Sequence, residues 1–165
     1  MALNQQKKIL SPLKILLYIP VPWVFVLIFL IGLVFQLMFP LNILTRETSF
    51  FVIIIGIVLF ASGMLLATWS LIIFRKARTT TTPGESSKKL VRNGPYRFTR
   101  NPMYVSLTLA YIGEAGFLTQ SWPIIVLPFV LAYVNWIVIP LEEEILKKDF
   151  KEEYEYYCSK IPRWL

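Results

Sequence analysis

Long unbroken apolar blocks set what this chain can fold into. The clearest are Pro22 to Phe39, PWVFVLIFLIGLVFQLMF, and Phe50 to Phe74, FFVIIIGIVLFASGMLLATWSLIIF. Each is long enough to cross a bilayer as a helix, the form that satisfies its own backbone hydrogen bonds in hydrocarbon. A third block runs from Pro102 to Phe117 or Leu118. A fourth runs from Pro123 to Ile139 and is interrupted by Pro128. The whole chain agrees: of 165 residues, 56% are hydrophobic and 16% charged, with mean hydropathy +0.59. Such a composition predicts an all-α integral membrane protein rather than a soluble domain.

The expected architecture is about four transmembrane helices plus a C-terminal amphipathic cytoplasmic helix. Residues 3–18 read as a short interfacial helix before the first span. Pro40 to Ser49 and LTQSW (Leu118 to Trp122) read as tight outer connections, and TTTTPGESS (Thr79 to Ser87) as a loop with a Pro-Gly turn. The tail after Pro140 places Leu141, Ile145, Leu146, Phe150, Tyr154 and Tyr157 on one helical face, ending before Pro162. Small residues in span two (Gly56, Ala61, Ser62, Gly63 and Ala67) point to close helix packing. The expected organisation is a single membrane domain over residues 1–165. Residues 1–87 supply two spans and a loop, and residues 88–165 the chemically richer part.

The net charge of +7 is concentrated rather than spread. Eight of the 17 basic residues lie between Arg75 and Arg100, and Lys7, Lys8 and Lys14 precede span one. Juxtamembrane Lys and Arg set orientation, which puts both termini and the 75–100 loop in the cytoplasm. That placement accounts for the charge without nucleic-acid binding. There is no histidine and one cysteine, Cys158. Metal sites of His and Cys, His-based triads and intrachain disulfides are therefore excluded. Chemistry falls to Arg, Glu, Tyr, Asn and the backbone.

Those residues converge at one membrane face. GPYRFTRNPMY (Gly94 to Tyr104) precedes span three, and Glu142-Glu143-Glu144 follows span four. A hairpin of the two spans makes them neighbours, so Arg97, Arg100, Asn101 and Tyr104 face Glu142 and Glu143. Gly94-Pro95 and Asn101-Pro102 stiffen the loop, with Asn101 as N-cap and Pro102 at the first helical position. Carboxylates and aromatic faces suit a cation, and a guanidinium suits a carboxylate. A ligand with a sulfonium, an amino-acid end and an adenine, such as S-adenosylmethionine, uses all of these. Glu144 reads as a solvated helix start and Glu114 as an acid that reaches the outer surface. Asn135 reads as a helix-to-helix hydrogen-bonding residue, and Cys158 as inert.

LVRNGPYRFTRNPMY (Leu90 to Tyr104), followed by EEEILKKDFKEEYEYYCSKIPRW (Glu142 to Trp164), resembles the isoprenylcysteine carboxyl methyltransferase and phospholipid methyltransferase group. The resemblance covers residues 88 to 165. It implies S-adenosylmethionine in a pocket roofed by the C-terminal segment, with an amphiphilic or prenylated lipid-like acceptor entering from the bilayer. Gly94, Tyr96, Arg97, Arg100, Asn101, Pro102, Tyr104, Glu142 and Glu143 match the cofactor-binding elements. Arg100, Asn101, Tyr104 and Glu143 stand as the catalytic candidates, while Phe150, Tyr154 and Arg163 match the tail. Asn101 stands where many members have His, so it offers no base near neutral pH. Lys151 stands where Gly is frequent. Two other readings stay open at this point. One is a sterol-reductase-like NADPH-dependent oxidoreductase, which Arg92, Arg97 and Arg100 would serve as phosphate ligands. The other is a non-catalytic membrane subunit docking through its basic loop.

Overall fold

The computed structural model describes residues 20–41, 43, 46–77 and 89–165. The interfacial helix expected over residues 3–18 and the Thr79–Ser87 loop lie outside the described residues. The described residues form helices α1 (Val21–Met38), α2 (Arg46–Ala77), α3 (Pro102–Phe117), α4 (Ser121–Tyr133) and α5 (Ile139–Lys160). A 3₁₀ turn at Gly94–Arg97 precedes α3, and a π turn at Val134–Val138 joins α4 to α5. Among the described residues, three helical stretches are long and apolar enough to cross a membrane: Val21–Met38, Ser49–Ala77 and Ser121–Lys160. The apolar part of the last stretch ends at Leu141, and its charged part begins at Glu142. Helix α3 has 16 residues, about 24 Å at the α-helical rise. It runs against α2 for much of its length and completes the bundle.

Small residues explain that pairing. A Cβ on Gly113 would lie 2.7 Å from the Gly56 carbonyl oxygen, and a Cβ on Gly63 would lie 2.7 Å from the Ser106 oxygen and the Ala110 nitrogen. The two backbones therefore approach closely, where dispersion rather than water exclusion holds helices in lipid. Gly56 and Gly63 carry the close packing expected of span two, whereas Ala61 and Ser62 face outward. Helix α1 packs on α4, with Gly32 against Pro123. The core lies between α1, α3 and α4, where Phe25 and Phe29 meet the Tyr111 ring edge-on at 6.1 and 5.0 Å. The start of α4 is tied to the end of α1 by Trp122, whose indole N–H donates to the Phe39 carbonyl at 2.8 Å.

The tail departs from the expected plan. A fourth span over Pro123 to Ile139 and a separate amphipathic helix after Pro140 were expected, but α4, the π turn and α5 form one continuous helical run. Pro140 lacks the N–H an α-helix needs. The π turn widens the preceding turn, placing the Ile139 N–H on the Val134 carbonyl, and the helix passes Pro140 unbroken. Pro128 likewise sits inside α4 without ending it. The real break comes later, at Lys151, whose φ of 45° and ψ of −120° bend α5. The second leg of α5 buries Tyr154 and Tyr157 against the loop before α3, on the face the periodicity predicts.

Candidate functional site

The site is assembled from three pieces: the loop before α3, the start of α5, and the C-terminal segment. Gly94 opens the loop with φ +62°, a conformation glycine adopts without strain. A Cβ there would also meet the Ile73 side chain at 3.0 Å and the Trp69 indole nitrogen at 3.2 Å. Pro95 and Tyr96 are buried, and the Tyr96 ring meets Phe74 of α2 edge-on at 5.1 Å. Pro102 then starts α3 as expected. The cap differs from expectation: the Asn101 side chain does not cap the helix, but donates Nδ2–H to the Arg163 carbonyl at 2.9 Å.

That bond belongs to a clasp around the C-terminus. The Thr99 hydroxyl donates to the same carbonyl at 3.0 Å, and the Arg100 backbone N–H donates to the Pro162 carbonyl at 2.9 Å. The Trp164 indole N–H donates to Asn135 Oδ1 at 3.0 Å, so Asn135 bonds the tail rather than a neighbouring span. The Tyr157 hydroxyl donates to the Tyr96 carbonyl at 2.7 Å, and burial pushes its ionisation up to about 12. It is thus a neutral donor that seals the loop to α5.

At the centre, Glu143 accepts from Arg100 Nη1 at 3.0 Å and from Arg163 Nε and Nη2 at 3.2 and 2.7 Å. Arg163 is bidentate, the geometry a planar guanidinium favours. Arg100 also donates to Cys158 Sγ at 2.7 Å, while its Nε is buried with no hydrogen-bond partner among the described residues. On the adjacent residue of α5, Glu142 Oε1 accepts from the Tyr104 hydroxyl at 2.7 Å. Burial of its carboxyl pushes Glu142 up to about 7; the Tyr104 bond pulls the other way, and the Glu143 charge adds to the rise. The Tyr96 hydroxyl is buried and without a partner among the described residues, and it feels the charge of Glu142.

The fold brings Gly94, Tyr96, Arg100, Asn101, Pro102, Tyr104, Glu142 and Glu143 to one edge of the bundle. Arg97 is exposed on the turn and makes no hydrogen bond among the described residues. Arg92 pairs with Glu153 at 2.9 Å on the surface. Thr99 is a participant the sequence did not single out, and Cys158, which it read as inert, accepts from Arg100. Thr99 carries no motif signal, and Cys158 sits 58 residues from its Arg100 partner. Beside the cluster, an apolar cavity of about 720 Å³ lies between α3 and α4, lined by Val105, Thr108, Leu131, Asn135, Trp136 and Trp164.

Fold and site together define a helical membrane protein whose polar chemistry is gathered at one end of its bundle, next to an apolar cavity. A family model described as phospholipid methyltransferase matches residues 51–153, more than half of the chain. The chain belongs to the phospholipid methyltransferase family, and the match takes in most of α2, the Leu90–Tyr104 element and the second element as far as Glu153. Neither the curated proteins nor the solved structures include a match to it.

Proposed function

We propose that this protein transfers a methyl group from S-adenosylmethionine to the amine of a phospholipid at the cytoplasmic membrane face. The observation that carries the reading is the juxtaposition of the Arg100–Glu143–Arg163 and Tyr104–Glu142 clusters with an apolar cavity, whose lining residues Trp164 and Val105 directly follow Arg163 and Tyr104. The donor set fits the methyl donor. The unpartnered Nε of Arg100 suits its carboxylate, and the carboxylates with the Tyr154 and Tyr157 rings suit its cationic part. S-adenosylmethionine supplies an already activated methyl group, so the protein's task is alignment and exclusion of water. The tail clasp covers the polar cluster, and the cavity offers an acyl chain a place beside it. Family membership supports a membrane-lipid acceptor over a prenylated small molecule. The 75–100 basic loop supports a cytoplasmic site with both termini on that side.

The reductase reading loses its support in this arrangement. Arg100 is paired with Glu143, Arg92 with Glu153, and Arg97 stands apart, so the three do not form a phosphate-binding group. The test is calorimetric titration of the detergent-purified chain with S-adenosylhomocysteine, with methyl transfer from labelled S-adenosylmethionine to phosphatidylethanolamine measured in parallel. Micromolar binding with label in the lipid is the expected result. A folded preparation that binds no S-adenosylhomocysteine sinks the proposal.

A further inference from the structure

Asn135 places a carboxamide inside an apolar helical run, in the π turn Val134–Val138, the kind of widened turn common at functional sites. An amide in a membrane span is costly unless its hydrogen-bonding groups are used. Half of this one is used: Oδ1 accepts the Trp164 indole N–H at 3.0 Å. That bond also fixes the amide's orientation, because an indole N–H can only donate and so must face the oxygen. The two Nδ2 hydrogens are thereby turned away from Trp164, and they have no acceptor among the described residues.

The half-buried Asn135 lines the apolar cavity of about 720 Å³, together with Thr108, Leu131, Trp136 and Trp164. The other donors on that wall are spent or open to the surroundings. The Thr108 hydroxyl donates to the Tyr104 carbonyl at 2.8 Å, the Trp164 N–H goes to Asn135, and Trp136 is 73% exposed. The cavity therefore holds a donor pair whose complement is an acceptor carried in by an otherwise apolar ligand. Depth says which acceptor. Asn135 precedes Glu142 by seven residues, about 10 Å along a helix axis. The Glu142 end holds the polar cluster, and the Asn135 end is walled by hydrocarbon. A glycerophospholipid has the same layout: a charged headgroup, then ester carbonyls a headgroup's length deeper, where the acyl chains begin.

We propose that Asn135 Nδ2 donates to an acyl ester carbonyl of a glycerophospholipid whose chain lies in this cavity, and that it discriminates ester-linked from ether-linked lipid. The assignment rests on the lipid-acceptor reading above and adds the linkage of the lipid to it. An ester presents a carbonyl oxygen, a good acceptor for the amide. An ether lipid lacks that carbonyl and leaves the Nδ2 hydrogens unsatisfied among apolar groups, which costs affinity.

The test uses the full chain in detergent with matched diacyl and dialkyl phosphatidylethanolamine. Methyl transfer from labelled S-adenosylmethionine gives kcat/KM for each lipid, and native mass spectrometry of the two in competition gives binding without any chemistry. The parent is expected to favour the diacyl lipid by about 3- to 10-fold in both, the worth of one hydrogen bond. Asn135→Leu, or Asn135→Ala if the first does not fold, is expected to bring the preference below about twofold. Asn135→Gln keeps the amide and restores part of it. Trp164→Phe removes the indole N–H but leaves the Nδ2 donors, and the preference stays. A parent indifferent to the linkage overturns the assignment. A preference that survives Asn135→Leu, or that Trp164→Phe abolishes, overturns it as well, since it would then belong to the shape of the cavity. Failure of the methyl-transfer reading looks different: the parent binds the diacyl lipid preferentially, loses that preference in Asn135→Leu, and methylates neither lipid, so the ester site stands without the reaction.

Discussion

Replacing Glu143 with Gln takes the charge out of the tail clasp without changing its shape. The side chains of Glu143 and Arg100 are only 12% and 14% exposed, and that of Arg163 is 33% exposed. Removing one partner of a buried ion pair costs about 3–5 kcal/mol, because the other charge is left behind. The more open Arg163 arm adds less than about 1 kcal/mol after solvent screening. The introduced amide keeps a carbonyl acceptor, and Arg100 keeps its bond to Cys158. The expected loss therefore sits at the low end, about 3 kcal/mol. For a chain of this size that is roughly 6–12 °C in Tm. Thermal unfolding in detergent, followed by tryptophan fluorescence, measures it. Hydrogen exchange at the Arg100 amide, which bonds the Pro162 carbonyl, shows whether the tail loosens first. Glu144→Gln is the control; its side chain makes no bond among the described residues, and a change within about 0.5 kcal/mol is expected. A Glu143→Gln protein that melts within about 2 °C of the parent would refute the clasp as the main tie of the tail.

Three further outcomes follow from the same geometry. Glu142 titrates higher in the folded chain than its ordinary 4.5, at about 7, so its stabilising contribution is full below pH 4.5 and is lost as pH rises through 7. The loss is about 3 kcal/mol and is absent in Glu142→Gln, which denaturant unfolding at pH 5 and pH 8 would show. Lys151→Gly relieves a positive-φ residue at the bend of α5 and is expected to raise stability by about 1 kcal/mol, whereas Lys151→Val lowers it; the two midpoints decide. Gly113→Ala drives a methyl into the Gly56 carbonyl and the Phe60 backbone, and is expected to cost about 1–3 kcal/mol in the same assay.

Much of this was readable from the sequence because its signals were local or strongly periodic. Apolar blocks gave the spans to within a residue or two for α1 and α3. The short Leu118–Trp122 turn gave the hairpin, and the hairpin set Arg100, Asn101 and Tyr104 as a group near Glu142 and Glu143, though it wrongly included Arg97. What remained hidden depended on distant partners or on backbone detail. Pro140 reads as a helix breaker until the π turn before it supplies a different hydrogen-bonding register. Asn135 reads as a contact between spans, but its partner is Trp164 near the chain end. Cys158 has no nearby sequence neighbour to activate it, yet the fold places Arg100 on its sulfur. The division between Glu142 and Glu143 was equally invisible, since two adjacent acids differ only in what the fold sets around each.

Asn101 shows what the structure adds to a departure that the motif alone leaves open. Many resembling proteins have His at this position, and a missing imidazole invites the idea of a missing base. Here the side chain gives one N–H to the Arg163 carbonyl at 2.9 Å, beside the Thr99 hydroxyl on the same oxygen. An imidazole N–H makes the same donation, so the position requires a donor rather than a proton acceptor. Asn101→His is expected to keep the melting temperature within about 2 °C of the parent. Asn101→Asp puts a carboxylate oxygen opposite the carbonyl and is expected to cost about 1–3 kcal/mol, with exchange protection falling first at the Arg100 amide. If Asn101→Asp melts with the parent while Asn101→His is impaired, the residue is not a holder of the tail, and a chemical role at this position returns to consideration.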